Sequence, residues 1–288
     1  MAPETAQRLN TALAVLHWRN LMVTLPLCAG GVLMLLPFLW MFSASLRPVG
    51  EAYRLPPTLL PDIWDATSYQ QVLESGLPFL SMYWNSFVVA ALTTLGVLLT
   101  ASMAAFAFAR LRFSGSRALF ALMFVGLMVP PALVLIPIYV GFAALHLLDT
   151  RAALILPALA SSFGVYMMRQ FMLGLPRELE EAAKIDGAGY WTIYRRISLP
   201  QLGPALAALG IITFTASWNN FIAPFVLIKS LEQMTLPIGV VALQGVFGPA
   251  SLSVLMAATV MAILPLFVVF LVAQRFIIEG LTMTGIKG

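Results

Sequence analysis

Glu181-Ala182-Ala183-Lys184-Ile185-Asp186-Gly187, running on to Ile197-Ser198-Leu199-Pro200, is the most water-loving stretch of a chain that otherwise reads as membrane. From Arg177 to Arg196 stand Arg177, Glu178, Glu180, Glu181, Lys184, Asp186, Arg195 and Arg196, with Arg169 just upstream. Uncharged runs that fit a bilayer crossing flank this island on both sides. Charges this dense are too costly to hold inside hydrocarbon, so the island lies in water at one membrane face. The side it occupies fixes the topology of the rest.

Hydrophobic residues make up 60% of the 288 and charged residues 10%, against roughly 25% charged in soluble domains. Mean hydropathy is +0.92. This is a polytopic, all-α membrane protein, read as a single transmembrane domain over 1–288 with no large soluble part. Uncharged intervals at 20–46, 75–109, 118–148, 152–168, 197–228 and 233–274 each hold a membrane span. We place six spans near 22–45, 86–109, 119–143, 152–172, 204–228 and 255–276. The fourth borrows Arg169, whose long stem reaches the interface. Arg8 and Arg19 resemble a signal peptide's basic start, but the run from 20 to 46 exceeds the roughly 7–15-residue signal core and reads as a retained span.

Placing the N-terminus inside puts Arg8, Arg19, Arg110, Arg112, Arg117, Arg169, Arg177, Lys184, Arg195, Arg196, Arg275 and Lys287 on the cytoplasmic side. Only Arg47, Arg54, Arg151 and Lys229 remain outside. The same asymmetry explains the net charge of +4 without nucleic acid. It makes the coupling loop 173–200, between spans four and five, cytoplasmic, together with both termini. The connection from 46 to 84 reads as a small outer cap with one short helix. Span prolines Pro26, Pro37, Pro130, Pro131, Pro137, Pro157, Pro224 and Pro265 read as kinks fixed by packing, with Pro130-Pro131 as the candidate hinge. Ala101, Ala105 and Ala109 recur every four residues and permit close helix approach.

Several chemistries are excluded. Every Asp falls in a loop, which removes an intramembrane aspartyl protease; no His lies mid-span beside a Ser, and no carboxylate in the spans offers ion coupling. One cysteine, Cys28, and two histidines, His17 and His146, give neither a disulfide framework nor a histidine-rich metal site. No Gly-x-x-x-x-Gly-Lys-Ser/Thr occurs, so no P-loop holds ATP on this chain.

Within the island, Pro176 opens a helix, Glu178, Glu180 and Glu181 suit its positive end, and Gly187 stops it, which predicts a helix over 177–186. Leu179, Ala182, Ala183 and, less well aligned, Ile185 form a narrow face of mostly small side chains. After Gly187-Ala188-Gly189 a second helix is expected from 190 to 197, carrying Trp191, Tyr194 and Ile197 on one side and ending before Pro200. A DNA-binding helix-turn-helix fits poorly, because the motif is clamped between spans and its first helix is acidic. An amphipathic connector and a helix that enters a groove on a cytoplasmic partner both fit. At mid-span depth the polar and aromatic groups able to line a solute path are Thr213, Thr215, Ser217, Trp218, Asn219 and Asn220, with Ser161, Ser162 and Tyr166. Hydrogen bonding between helices accounts for them equally well, at roughly 0.6 kcal/mol each.

Glu181-Ala182-Ala183, three residues, Gly187, nine residues, Ile197, one residue and Leu199-Pro200 resemble, at every fixed position, the cytoplasmic signature of permease subunits of binding-protein-dependent ABC importers. Pro56-Pro57, Asn85-Ser86, Ala107-Phe108-Ala109-Arg110, Trp218-Asn219 and the ending Gly280-Leu281-Thr282 to Gly285-Ile286-Lys287-Gly288 resemble the second permease of the maltose and glycerol-3-phosphate type. The resemblance runs from about residue 25 to the end. It implies a six-helix permease domain in a bacterial-type inner membrane, with no cofactor of its own. Its expected partners are a second permease, a dimer of ATP-binding subunits holding ATP and Mg, and an extracytoplasmic solute-binding protein that delivers a sugar-like solute. Glu181, Ala182, Ala183, Asp186, Gly187, Leu199 and Pro200 would then form the coupling contact with the ATPase, and Gly285, Ile286, Lys287 and Gly288 a second one. In such relatives the solute is held mainly by the other permease, so Ser162, Tyr166, Ser217, Trp218, Asn219 and Asn220 would supply wall and gate. The alternative is a stand-alone facilitator in which the island is only a connector.

Overall fold

The computed structural model describes residues 3–48, 51, 58–248 and 252–284, and side chains from residue 22 to 274 within these. The described residues form helices α1 (Pro3–Ser45), α2 (Thr67–Leu73), α3 (Phe79–Arg110), α4 (Ser116–Met128), α5 (Pro131–Ala144), α6 (Arg151–Ile155), α7 (Ser162–Leu173), α8 (Glu178–Ile185), α9 (Tyr190–Ile193), α10 (Leu199–Gln201), α11 (Gly203–Trp218), α12 (Ile222–Leu227), α13 (Leu236–Phe247) and α14 (Leu252–Thr284). They fall into two compact units, residues 1–71 with 249–260 and residues 72–248 with 261–288.

In the first unit, α1 is an apolar rod whose stretch Met22–Ser45 is long enough to cross a bilayer. Its side chains are mostly exposed, from Met22 at 74% to Phe38 at 54%, as a helix solvated by lipid requires. Beyond it the buried Arg47 donates through Nη2 to Ser43 Oγ and to the Thr58 carbonyl. Ser45 Oγ lies 2.8 Å from Tyr69 Oη. Among the described residues of the connection 46–84 stands a short helix, α2, opened by Asp65, whose Oδ1 accepts from Thr67 N at 2.8 Å.

The second unit is organised around α3. Val97, Ala101, Ala105 and Ala109 are buried along one face, and α7 and α11 pack against this helix. Gly164 of α7 marks the closest approach, since a Cβ there would stand 3.1 Å from Ala101 Cβ. The four-residue recurrence of alanines thus serves helix contact. Around them Met168, Met172, Ile193, Tyr194, Leu202, Ala205 and Leu209 complete one core.

Three expected spans are interrupted. The stretch 119–143 is two helices, α4 and α5, bent by 103°. Pro130 and Pro131 remove adjacent N–H donors, and Val129, held extended at φ −81°, ψ 120°, cannot continue the helix. What the sequence offers as a kink is therefore a complete break. The fourth stretch bends by 41° between Arg151–Leu159 and α7, and Ser161 caps α7 by accepting from Gly164 N at 3.0 Å. The fifth ends at Trp218, and the chain resumes helix only at Ile222. Among the described residues, and counting each bent pair as one span, up to six helical segments are long and apolar enough to cross a membrane.

Candidate functional site

The charged island folds into α8 and a broken helix through α9 and α10. α8 runs from Glu178 to Ile185 and closes with a reciprocal pair of bonds, Ala188 N to Ala183 O at 2.8 Å and Gly187 N to Lys184 O at 3.0 Å. This 6→1 and 5→2 pattern needs a left-handed residue, and Gly187 supplies it at φ +83°. The second helix does not end before Pro200. A π turn over Tyr194–Ser198 widens it, and helix continues through Leu199–Gln201 with Pro200 in its first turn. The wide turn accommodates a ring that would collide with the i−4 carbonyl in a regular helix. Trp191 and Tyr194 keep their rings 5.4 Å apart, centroid to centroid, but differ in burial. Tyr194 is buried, with its hydroxyl 2.8 Å from Ser102 Oγ and its ring edge-on to Phe106, whereas Trp191 is 58% exposed.

The sequence points to Glu180 as a helix-start carboxylate and to Arg110 as a family feature, but not to their pairing. Glu180, 5% exposed, turns inward. Arg110, the last residue of α3, places Nε 2.8 Å from each Glu180 carboxylate oxygen, and both side chains are nearly sealed from solvent. Ser198 Oγ donates to Glu180 Oε1 at 3.0 Å, and Arg110 Nη2 donates to the Leu175 carbonyl at 3.2 Å. A charge pair removed from water is costly unless its remaining lone pairs and protons are met; Ser198 and Leu175 meet one each, while Arg110 Nη1 is buried without a partner. Arg110 also stands at the negative end of the α3 dipole.

This anchoring inverts the usual amphipathic helix. The inward side of α8 carries the Glu180 carboxylate beside half-buried Ala183, while Leu179 and Ile185 point outward at 56% and 86% exposure. Glu181, Ala182 and Asp186 are exposed between them, and Tyr190 and Trp191 extend the exposed apolar surface. Lys184 reaches over the Tyr190 ring, its Nζ 5.4 Å from the centroid. Leu199 is half-buried against the core and Pro200 is exposed. The structure thus brings Glu181, Ala182, Ala183, Asp186 and Gly187 together on one short projection. Gly285, Ile286, Lys287 and Gly288 lie outside the described residues.

The mid-span set divides. Trp218 is buried, donates through Nε1 to the Ala262 carbonyl at 3.0 Å, stacks on Phe214 and meets Tyr83 edge-on. Its indole ties helices together. Asn219 and Asn220 are exposed at the break after α11, where Asn220 Oδ1 accepts from Ala223 N at 3.3 Å and opens α12. Ser217 is half-buried. Tyr166 packs edge-on against Phe124 of α4, and Ser162 begins α7. The span-four and span-five groups therefore have different neighbours.

At the opposite end of α3, Asn85 uses its whole amide. Nδ2 donates to the carbonyls of Glu232 at 2.7 Å and Met234 at 3.0 Å, and Oδ1 accepts from Arg151 Nε at 3.1 Å. Ser86 Oγ accepts from Leu236 N at 2.7 Å and so caps α13. Nearby, Asp149 Oδ1 accepts from the N–H groups of Ser230 and Lys229 and from Ser230 Oγ, each at 2.9 Å. These donors hold the Asp149 carboxyl below its ordinary range.

Known proteins share both this fold and this sequence pattern. A permease protein of the arabinooligosaccharides transport system, AraQ, from Bacillus subtilis (strain 168) is 34% identical over 259 residues, covering 89% of this chain and 92% of its own. The sn-glycerol-3-phosphate transport system permease protein UgpE of Yersinia pestis bv. Antiqua (strain Antiqua) is 34% identical over 261 residues, covering 88% and 93%. Among solved structures, a chain of a bacterial ABC transporter involved in the import of the acidic polysaccharide alginate superposes with a TM-score of 0.73 at 24% identity, over 96% of this chain and 98% of that one. That likeness concerns the fold. The pattern describing the binding-protein-dependent transport system inner membrane component matches residues 96–282. The chain belongs to this family and is an ABC transporter permease of the inner membrane.

Proposed function

We propose that the chain is one of two permease subunits of an ATP-driven importer for sugars, oligosaccharides or a related polyol or sugar phosphate, and that α8 is its coupling helix. The observation that carries this reading is the inverted amphipathicity of α8. A helix that hides a carboxylate and displays Leu179, Ala182 and Ile185 is shaped for a groove on another protein. The solute class follows the relatives named for arabinooligosaccharides and sn-glycerol-3-phosphate. A solute-binding protein is supported by the family description and by the alginate transporter solved with its pentasaccharide-bound periplasmic protein.

ATP and Mg would be held by a partner dimer, since this sequence has no P-loop. Closure of that dimer would pull on α8 from the cytoplasm, with both termini of this chain on the same side. The pull would pass through Glu180 to Arg110 and so into α3, against which α7 and α11 pack. A short displacement of a rigid element is how such domains switch between two packed states. Gly285 to Gly288 would give a second ATPase contact, and the exposed Asn219 and Asn220 would face the solute path.

The test is uptake together with co-purification of the ATP-binding subunit. Glu181→Lys inverts an exposed charge, and Gly187→Pro removes both the left-handed stop and the N–H to Lys184 O. Each is expected to abolish uptake and release the ATPase while the chain still inserts. Retention of both activities would refute the coupling role. Purified with its binding protein, the complex should hydrolyse ATP faster with some sugars or sugar phosphates than others. A rate indifferent to a broad panel would refute the importer reading.

A further inference from the structure

A cavity of about 400 Å³ opens beside the coupling end of α3, walled by Phe108, Ser116, Arg117, Phe120, Phe124 and Arg169. Two arginines converge there, and among the described residues neither has an ion pair to a carboxylate. Arg169 spreads its guanidinium over the Phe120 ring, 4.3 Å from the centroid, and its Nε makes one long bond, 3.5 Å, to the Phe108 carbonyl. Arg117 is exposed in the first turn of α4, which has no side-chain cap. Cationic groups left unmatched in a walled cavity call for an anion, and planar guanidinium forks suit phosphate oxygens.

The rest of the surroundings identify the kind of anion. α4 has no buried residue, and Leu119, Leu122 and Val125 run along it at 50%, 65% and 54% exposure. An apolar helix face continuous with the aromatic wall is a track for acyl chains. The cavity also stands at the water-facing edge, because α3 ends at Arg110, which holds α8 and its charges. We propose that this cavity is a binding site for the phosphate headgroup of an anionic phospholipid, with one acyl chain along α4. Basic pockets between spanning helices bind such headgroups by attraction of about 1 kcal/mol for each Lys or Arg. The proposal rests on α8 standing outside the membrane on the cytoplasmic side. It is separable from transport, because the readout below is lipid contact and not uptake.

The test uses the assembled complex in nanodiscs containing phosphatidylglycerol with a photoactivatable group near its headgroup, with cross-linked peptides mapped. Cross-links should concentrate on α4 and α7 and be competed by unlabelled phosphatidylglycerol, but not by phosphatidylcholine of the same chains. Arg117→Gln, an exposed position whose loss spares the fold, should lower the apparent affinity about fivefold, and Arg117→Gln with Arg169→Gln about thirtyfold. Arg112→Gln, exposed nearby but outside the cavity, should leave it unchanged. Equal competition by phosphatidylcholine, no effect of Arg117→Gln, or an equal loss in Arg112→Gln would overturn the site. Displacement by millimolar inorganic phosphate alone would assign the cavity to a soluble anion and overturn the lipid reading.

Discussion

The two ends of α3 are fastened by opposite chemistry. At Arg110 the fastening is a single buried ion pair to Glu180, topped by Ser198. At Asn85 it is an amide that meets two carbonyls and the side chain of Arg151. These residues stand about 38 Å apart at ~1.5 Å per residue of helix. The amide clasp is spread over several donors and acceptors in two segments. The ion pair is a single attachment of one short helix whose outer face is left bare. The comparison teaches that the two ends of α3 are held by different kinds of bond, and a narrow attachment at α8 is what the proposed coupling role would require.

The sharpest way to break the comparison is Arg110→Ala. It leaves the Glu180 carboxylate buried and unpaired, which costs about 3–5 kcal/mol. We expect α8 to detach, seen as protease sensitivity at the coupling loop and loss of ATPase co-purification. Replacing both partners, Arg110→Met with Glu180→Met, should restore much of the stability, because the desolvation penalty disappears with the charges. Uptake should stay low if the pair positions α8, and this split between thermal stability and uptake distinguishes a lever from a mere strut.

At the other end Asn85→Ala removes three hydrogen bonds and leaves Arg151 and two carbonyls to find other partners. A loss of about 2–3 kcal/mol follows, smaller than at Arg110 because only one partner, Arg151, is charged. The expected outcome is a lower melting temperature with the ATPase still bound. Between the two ends, Gly164→Val tests the bearing surface of α3. Even a Cβ would stand 3.1 Å from Ala101 Cβ and 3.0 Å from Ser161 Oγ, so the branched side chain should cost about 1–3 kcal/mol of overpacking. Ala101→Gly in the same chain should recover part of it, as measured by thermal unfolding.

Local signals were legible in the sequence and distant ones were not. The expected helix over 177–186 matches Glu178–Ile185 within a residue, because Pro176, the glutamates and Gly187 all act within their own turn. The same glutamates concealed the anchor. The helix dipole explains Glu178, Glu180 and Glu181 alike, and only Arg110, 70 positions earlier, distinguishes Glu180. In sequence the Trp218 indole looks the same whether it faces a path or a helix. Its partner carbonyl lies 44 positions away. Pro130-Pro131 announces a disturbance in the third span, but two missing N–H donors do not by themselves give the 103° angle between α4 and α5. Asn85-Ser86 is a matching feature of the family, and the two segments it ties, 232–236 and the start of α6 at Arg151, explain why an amide and a hydroxyl occupy those positions.

The smallest expected effect lies in the loop beside the amide clasp, at Asp149. Its N–H donors, Ser230 first and Lys229 second, favour the carboxylate in the folded protein and hold its pKa down. A depressed folded pKa means that the stabilisation is fully present above the unfolded value and is lost as pH falls through the folded one. Acidification below about pH 4, the ordinary carboxylate range, should therefore loosen this corner, while changes between neutral and mildly acid pH should not. Asp149 also sits at φ +60°, a left-handed conformation that Asn tolerates and Ala does not. Asp149→Asn keeps an acceptor oxygen and the backbone, so it should abolish the acid sensitivity at little cost in stability. Asp149→Ala should lower stability by about 1–2 kcal/mol at neutral pH. If hydrogen exchange at Lys229 and Ser230 were equally slow in wild type, Asn and Ala variants, the carboxylate would not be what holds this loop. The amide clasp at Asn85 would then bear the corner alone.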